Sequence, residues 1–209
     1  MELKVHDLIR MSSPGELLSE CLLPEWVHNS LNRTPWVVVR RDASEDGLIS
    51  VGVRGEYRNQ RFAALLPTHC VKELVTPEQL VVDAVWRMHR FEENSELNVQ
   101  LEKVSAYYNQ AGLIWGLGGS VGFELVSGAR TVHISSDVDL VLYALDPVDR
   151  KTAADWHAYN RQLSIRVDAL LETPAGACSL QEYVRSDTHI LLRTKNGPML
   201  VKSPWTLNL

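Results

Sequence analysis

The sequence predicts an α+β protein: a small, mostly β N-terminal domain over residues 1–75, followed over residues 76–209 by a mixed sheet flanked by helices. Three observations carry this. Pro14, Pro24, Pro35 and Pro67 break the first part into short elements. A capped helix start at Thr76-Pro77-Glu78-Gln79 changes the character of the chain. Beyond Leu113, strand-like runs alternate with helical ones.

In the first part, Trp36-Val37-Val38-Val39-Arg40 is rich in β-branched residues, and Ile49, Val51 and Val53 keep a period of two after the turn-forming Glu45-Asp46-Gly47. Together they predict a hairpin. The helix opening at Thr76 is expected to reach about Phe91, and a second runs from Ser95 to Gln110, where Leu97, Leu101, Val104 and Tyr108 recur at helical spacing. A strand from Leu113 then leads through a glycine turn into a short helix, and Val138 to Tyr143 forms the next strand. Asp146-Pro147 opens a helix to about Leu163, and Ile165 to Leu171 alternates as a third strand. Ser179 to Arg185 is a short helix, and His189–Thr194 with Met199–Lys202 around Asn196-Gly197 form a terminal hairpin.

Composition narrows the function classes. Hydrophobic residues make up 45% of the chain against 22% charged, the balance of a folded globular protein. A net charge of −5 speaks against a general nucleic-acid binder, which needs a basic surface for phosphates. Cys21, Cys70 and Cys178 lie far apart with no Cys-x-x-Cys spacing, so they read as free thiols of a reducing compartment. Neither a signal peptide nor an apolar run near the roughly 18 residues of a membrane helix is present. A cytoplasmic protein is expected.

Two segments carry chemistry. Trp115-Gly116-Leu117-Gly118-Gly119-Ser120-Val121-Gly122 lies between a strand and a helix. Its glycines permit close approach of a phosphate, and a helix N-terminus offers unpaired N–H donors. It lacks the Gly-Lys-Ser/Thr of a Walker loop, and tight packing alone would also explain it. In Ser136-Asp137-Val138-Asp139, two carboxylates at a spacing of two point to the same face of a strand. Such a pair repels itself unless it is well solvated or holds a cation. Asp168, in Arg166-Val167-Asp168-Ala169-Leu170, supplies a third acid on the following strand. Three acids can hold two Mg²⁺ ions for displacement at phosphorus.

Gly-Gly-Ser, then Asp-x-Asp about 17 residues later, then a lone Asp on a later strand, resembles the nucleotidyltransferase superfamily of the DNA polymerase β kind. A closer resemblance covers most of the chain. It rests on Val51-Gly52-Val53-Arg54-Gly55 with Arg58 and Gln60-Arg61-Phe62-Ala63, and on Gly119 to Leu125 with Ser127-Gly128. Ser136-Asp137-Val138-Asp139-Leu140, Val167-Asp168 with Glu172-Thr173-Pro174 and Gly176, and Gly197-Pro198 ahead of Pro204-Trp205 complete it. These resemble the phosphoribosyl-dephospho-coenzyme A transferases of malonate decarboxylase, also called its holo-[acyl-carrier-protein] synthases. The one departure is Asp-Val-Asp where Asp-Leu-Asp is expected, a swap that keeps an apolar strand residue.

The resemblance implies a nucleotidyltransferase-like fold and a defined reaction. The prosthetic group passes from 2'-(5''-triphosphoribosyl)-3'-dephospho-coenzyme A to a serine of the apo acyl carrier protein of malonate decarboxylase, with release of pyrophosphate. It implies Asp137 and Asp139 as catalytic metal ligands, Asp168 as the third, two Mg²⁺ ions, and Gly118, Gly119 and Ser120 as the pyrophosphate cradle. Among Arg40, Arg41, Arg54, Arg58 and Arg61, the last three fall in the resembling stretch and are expected to contact donor or carrier; surface pairing with Asp42, Glu45, Asp46 and Glu56 is the ordinary alternative. His133 reads as structural, the six tryptophans as packing, and Glu124 as a charge on an exposed helix face. Two other functions keep the same residues in view: transfer from an ordinary nucleoside triphosphate, and a non-catalytic carrier-protein adaptor.

Overall fold

The computed structural model describes residues 3–43, 46–57 and 59–206, so Glu45 of the expected turn and Arg58 lie outside the described residues. The period-two runs of the first part pair into an antiparallel sheet. Its strands are β1 (Leu8–Met11), β2 (Trp36–Val39), β3 (Leu48–Arg54), β4 (Arg61–Pro67) and β5 (Val71–Val75), in the order β4-β3-β2-β1-β5. The expected hairpin forms, with Val38 opposite Gly52 and Val39 opposite Val51. Helix α1 (Glu25–Arg33) starts directly after Pro24, where a missing N–H costs little. Its Val27 and Leu31, one turn apart, are buried and close a core with Ile9, Val37, Val51, Val53 and Leu66.

Helix α2 (Pro77–Val82) begins as expected, with a reciprocal cap: Thr76 Oγ1 accepts from Gln79 N–H at 3.2 Å, and Gln79 Oε1 from Thr76 N–H at 2.9 Å. It stops well before Phe91. Ala84 takes a left-handed conformation, φ 47°, and a 3₁₀ turn over Val85–Arg87 redirects the chain. The redirection carries Trp86, fully buried, into the core, where its indole N–H donates to Glu102 at 2.9 Å. Tertiary burial of one large ring outweighs helical continuity here. Helix α3 (Leu97–Gln110) follows, with Leu97, Leu101, Val104 and Tyr108 all buried.

The remaining elements are β6 (Trp115–Leu117), α4 (Gly119–Ser127), β7 (Val138–Tyr143), α5 (Arg150–Asn160), β8 (Val167–Thr173), β9 (Gly176–Ser179), α6 (Leu180–Arg185), β10 (Ile190–Thr194) and β11 (Gly197–Val201). Asp149 caps α5, accepting from Thr152 N–H at 2.9 Å, so the helix starts later than Asp146-Pro147 suggests. The second sheet has the order β11-β10-β9-β8-β7-β6, with β7 and β8 parallel and the other neighbours antiparallel. No helix among the described residues is long and apolar enough to cross a membrane.

Alternation along β7 divides the second sheet into two faces. Val138, Leu140 and Leu142 join Trp86, Leu101, Tyr108 and Leu171 in the larger core. The opposite face carries Asp139, Val141 and Tyr143, in register with Asp168, Leu170 and Glu172 of β8. The first sheet docks against this polar face. Arg41 pairs with Glu172, His6 Nε2 lies 3.8 Å from the same carboxylate, and Tyr143 O–H donates to Glu78 at 2.8 Å. Lys4 adds an ion pair to Glu78 at 3.5 Å and stands 5.7 Å from the Tyr143 ring centre.

Candidate active site

A cavity of about 730 Å³ opens between the two sheets, beside these docking contacts. The second sheet contributes Asp139, Asp168 and Leu170, and the turn ahead of α4 contributes Gly118 and Gly119. The first sheet faces them with Arg40, Arg54 and Arg61, and β10 adds Arg193. Acids thus come from one side of the cleft and most of the cations from the other.

The glycine turn is held against the acidic strand. Gly118 N–H donates to the Asp139 carbonyl at 2.9 Å. Gly119 sits at φ 57°, and a Cβ there would lie 1.6 Å from Asp139 Oδ2, so no other residue fits without moving the carboxylate. Gly122 has a different reason: its Cβ would meet the Leu117 carbonyl at 2.5 Å, which lets α4 pack closely on β6. Ser120 lies behind the turn. It is buried, its carbonyl accepts from Thr131 Oγ1 at 2.9 Å, and it is not part of the cavity wall.

The three acids occupy unequal positions. Asp139 and Asp168 are register partners on neighbouring parallel strands, and both line the cavity. Asp137 precedes β7 with 16% of its side chain exposed, whereas Asp168 has 52% exposed. Arg166 spans two of them, with Nε 3.9 Å from Asp137 Oδ2 and Nη2 3.4 Å from Asp168 Oδ2. One guanidinium therefore already bridges part of the acidic set. Among the described residues, the tight group of three His, Cys, Asp or Glu ligand atoms, all within 4.8 Å, is Glu16, His69 and Cys70, away from this cleft.

Electrostatics of the surroundings follow from burial. The His6 imidazole is pushed down to about 4, chiefly by burial and then by Arg41 and Arg193. Next to it, the fully buried Asp7 carboxyl is pushed up to about 6, with burial the main cause and Glu78 adding to it. Arg54 leans over the Phe123 ring at 5.8 Å, which ties the arginine wall to the middle of α4.

Glu124 corrects the expectation of an exposed charge. It is buried, accepts from the backbone N–H groups of Thr131 and Val132, both at 2.7 Å, and lies 3.0 Å from His89 Nε2. These bonds clamp the loop that runs from α4 to Asp137, a role visible only once the loop has folded back on its own helix. His133 is exposed, 3.0 Å from Glu93, and its N–H donates to Ser136 Oγ at 2.9 Å. Four tryptophans, at 36, 86, 115 and 156, are buried as expected.

Arg193, His6 and the clamp role of Glu124 were not foreseen from the sequence. Arg193 had one signal, alternation with the buried Ile190 and Leu192 in β10, which puts it on the opposite face. His6 had none. Arg41, grouped in the sequence with the other N-terminal arginines, pairs with Glu172 between the sheets.

A cleft with an acidic floor, a glycine turn against it and an arginine wall is therefore the candidate site, and comparison with known proteins gives the chain its family. Residues 84–204 match the model for the phosphoribosyl-dephospho-CoA transferase MdcG C-terminal domain, and residues 4–77 match that for its N-terminal domain. Proteins named phosphoribosyl-dephospho-CoA transferase are similar along nearly the whole chain. That of Pseudomonas fluorescens is 37% identical over 202 residues, 96% of this chain and 93% of the relative. Those of Azotobacter vinelandii and Klebsiella pneumoniae are 36% identical over 200 residues, 96% of this chain and 93% and 95% of the relatives. No solved structure matches. The chain belongs to the phosphoribosyl-dephospho-CoA transferase family, and it is an enzyme.

Proposed function

We propose that this protein transfers the phosphoribosyl-dephospho-CoA group from 2'-(5''-triphosphoribosyl)-3'-dephospho-CoA to a serine of the apo acyl carrier protein of malonate decarboxylase, releasing pyrophosphate. The observation that carries the reading is the divided cleft: Arg40, Arg54, Arg61 and Arg193 face Asp139, Asp168 and the Gly118-Gly119 turn across one cavity. Such a cleft suits a polyanionic donor whose phosphates need cations on one side and a reaction centre on the other. In this reading residues 1–75 are an accessory domain that supplies the arginine wall, and residues 76–209 are the catalytic domain.

The acids fit Mg²⁺. Asp139 and Asp168 offer oxygen donors side by side across a parallel register, and the missing Cβ of Gly119 lets the turn approach to where a side-chain carbon would overlap Asp139 Oδ2. Asp137, Asp139 and Asp168 would hold the ions. Bound there, two Mg²⁺ would neutralise charge on the transferred phosphoryl group. The chain's own groups do the rest. Arg54 and Arg61 take the triphosphate oxygens, as does Arg58 by the sequence resemblance alone. The N–H groups of Gly119 and Ser120 at the start of α4 face the leaving pyrophosphate, while Gly118, whose own N–H is engaged by the Asp139 carbonyl, completes the turn. Because the Ser120 side chain belongs to a buried residue behind the turn, its backbone rather than its hydroxyl is the contact we assign.

Chemically, the carrier serine Oγ forms a bond to the phosphorus attached at the ribose 5''-oxygen. The bond from that phosphorus to the pyrophosphate oxygen breaks, and pyrophosphate leaves with the electron pair. The serine proton passes to a carboxylate oxygen of Asp168, the most exposed of the three acids.

The test is intact mass spectrometry of purified apo carrier protein after incubation with this enzyme, Mg²⁺ and the triphosphoribosyl donor, with ATP and CTP in parallel. A mass gain matching the phosphoribosyl-dephospho-CoA group, absent after chelation and restored by Mg²⁺, is the expected result. Gain from ATP or CTP alone would replace the donor in this reading, and no gain from any donor would overturn it.

A further inference from the structure

Asp168 also borders a second cavity, of about 340 Å³, framed by the end of α5, the start of β8 and α6. Its wall carries His157, Arg161, Arg166 and Arg185, although the chain as a whole has a net charge of −5. Asp168 belongs to the walls of both cavities. Arg166 is engaged by the acids. Arg161 and Arg185 are exposed, and among the described residues neither has a carboxylate oxygen within 4.0 Å. His157, half-buried between them, is held below the ordinary histidine value by burial and by the charges of Arg185 and Arg161.

Clustered cations repel one another, and the C-terminal ends of α5 and α6 offset only a fraction of that. An anionic partner would relieve the rest. Displacement at phosphorus brings the nucleophile in opposite the leaving group, so donor and acceptor must reach the acids from different sides. The larger cleft, with its glycine turn and arginine wall, takes the triphosphate. The smaller one borders the same carboxylate, and its remaining wall comes from α5, α6 and the start of β8 rather than from the first sheet.

We infer that the basic pocket of Arg161, Arg185 and His157 is where an acidic segment of the acceptor protein docks, delivering its serine to Asp168 from the side opposite the departing pyrophosphate. The inference rests on the transfer reading above. Neither arginine touches the acids, so docking and chemistry are separable.

The experiment compares wild type with Arg161→Glu, Arg185→Glu and the double reversal. Apo carrier protein is titrated onto each without donor, and steady-state transfer is followed with carrier and donor varied in turn. Carrier Kd and KM are expected to rise on the order of tenfold per reversal, with kcat and donor KM within about twofold of wild type. Double Arg→Gln and double Arg→Lys variants read the same quantities without like-charge strain, and weakening in the Gln pair but not the Lys pair is expected. Carrier affinity unchanged by reversal overturns the docking site. A rise confined to donor KM also overturns it, assigning the pocket to a donor phosphate. Wild type that binds carrier in the pocket but transfers nothing would sink the transfer reading and leave the docking site standing.

Discussion

The two sheets bury their faces to different ends. The N-terminal sheet is antiparallel throughout and closes its own core with α1, then turns arginines of β2–β4 and their loops toward its neighbour. The C-terminal sheet contains the one parallel pair described, β7 with β8, and that pairing sets Asp139 beside Asp168. The lesson is that charge of each sign is assembled by a different part of the chain. Neither sheet by itself forms the cleft, and Arg41–Glu172 together with the Lys4, Glu78 and Tyr143 cluster holds the two in register.

This comparison breaks most sharply on the acidic side. Asp139→Asn is expected to lower turnover by about 10³-fold or more, because it removes a charged oxygen donor from the acids that would hold Mg²⁺ against the transferred phosphoryl group, while the melting temperature stays near wild type. Steady-state kinetics with a thermal melt would check both halves, and a variant that keeps a tenth of wild-type turnover would refute the role. Gly119→Ala should follow at about 10²-fold, since its Cβ would displace the Asp139 carboxylate that it would otherwise overlap. A structure of that variant with an undisturbed Asp139 would contradict the account.

On the cationic side the effects should be smaller and of another kind. Arg61→Ala is expected to raise donor KM on the order of tenfold with little change in kcat, as a group that holds phosphates without taking part in bond making. If instead kcat fell and KM held, the arginine wall would belong to the chemistry. Glu124→Gln should cost about 2 kcal/mol of stability in chemical denaturation, because both buried N–H groups that share its Oε2 lose a charged acceptor.

The subtlest test lies at the junction. Asp7, raised to about 6 in the folded protein from an ordinary 3.8, is a cost to stability that is absent below pH 3.8 and grows as pH rises to about 6. His6, lowered to about 4 from 6.5, acts the other way: its stability is present above pH 6.5 and is lost as pH falls toward 4. The neighbours offset each other across pH 4–6. Asp7→Asn should therefore stabilise the protein at pH 7 by an amount on the order of 2 kcal/mol and leave stability falling more steeply from pH 6 to pH 4. Urea melts at a series of pH values would show it, and parallel pH profiles for the two proteins would rule it out.

Much of the second sheet was legible because its signals are local. The alternation of Val138 to Tyr143 gave the strand its bounds and put Asp139 on the cavity face, whereas Asp137 precedes the strand and is not among the residues lining the cavity. The helix expected to reach Phe91 was not, since its end at Val82 is decided by the burial of Trp86 against residues far along the chain. Glu124 was misread for the same reason: its partners at Thr131 and Val132 meet it only after the loop returns. Strands β1, β4 and β5 are too short or too polar at their exposed positions to stand out before pairing.

By itself the sequence determined the α+β class, the glycine turn and the acidic pair, because these depend on residue type at short spacing, and its resemblance to a transferase family rests on motifs spread over most of the chain. Tertiary structure alone decided that Asp139 pairs with Asp168, that Arg193 joins Arg40, Arg54 and Arg61, and that two cavities meet at one carboxylate. The physical reason is that register and docking are set by burial and charge balance summed over both sheets, which no local stretch of chain encodes.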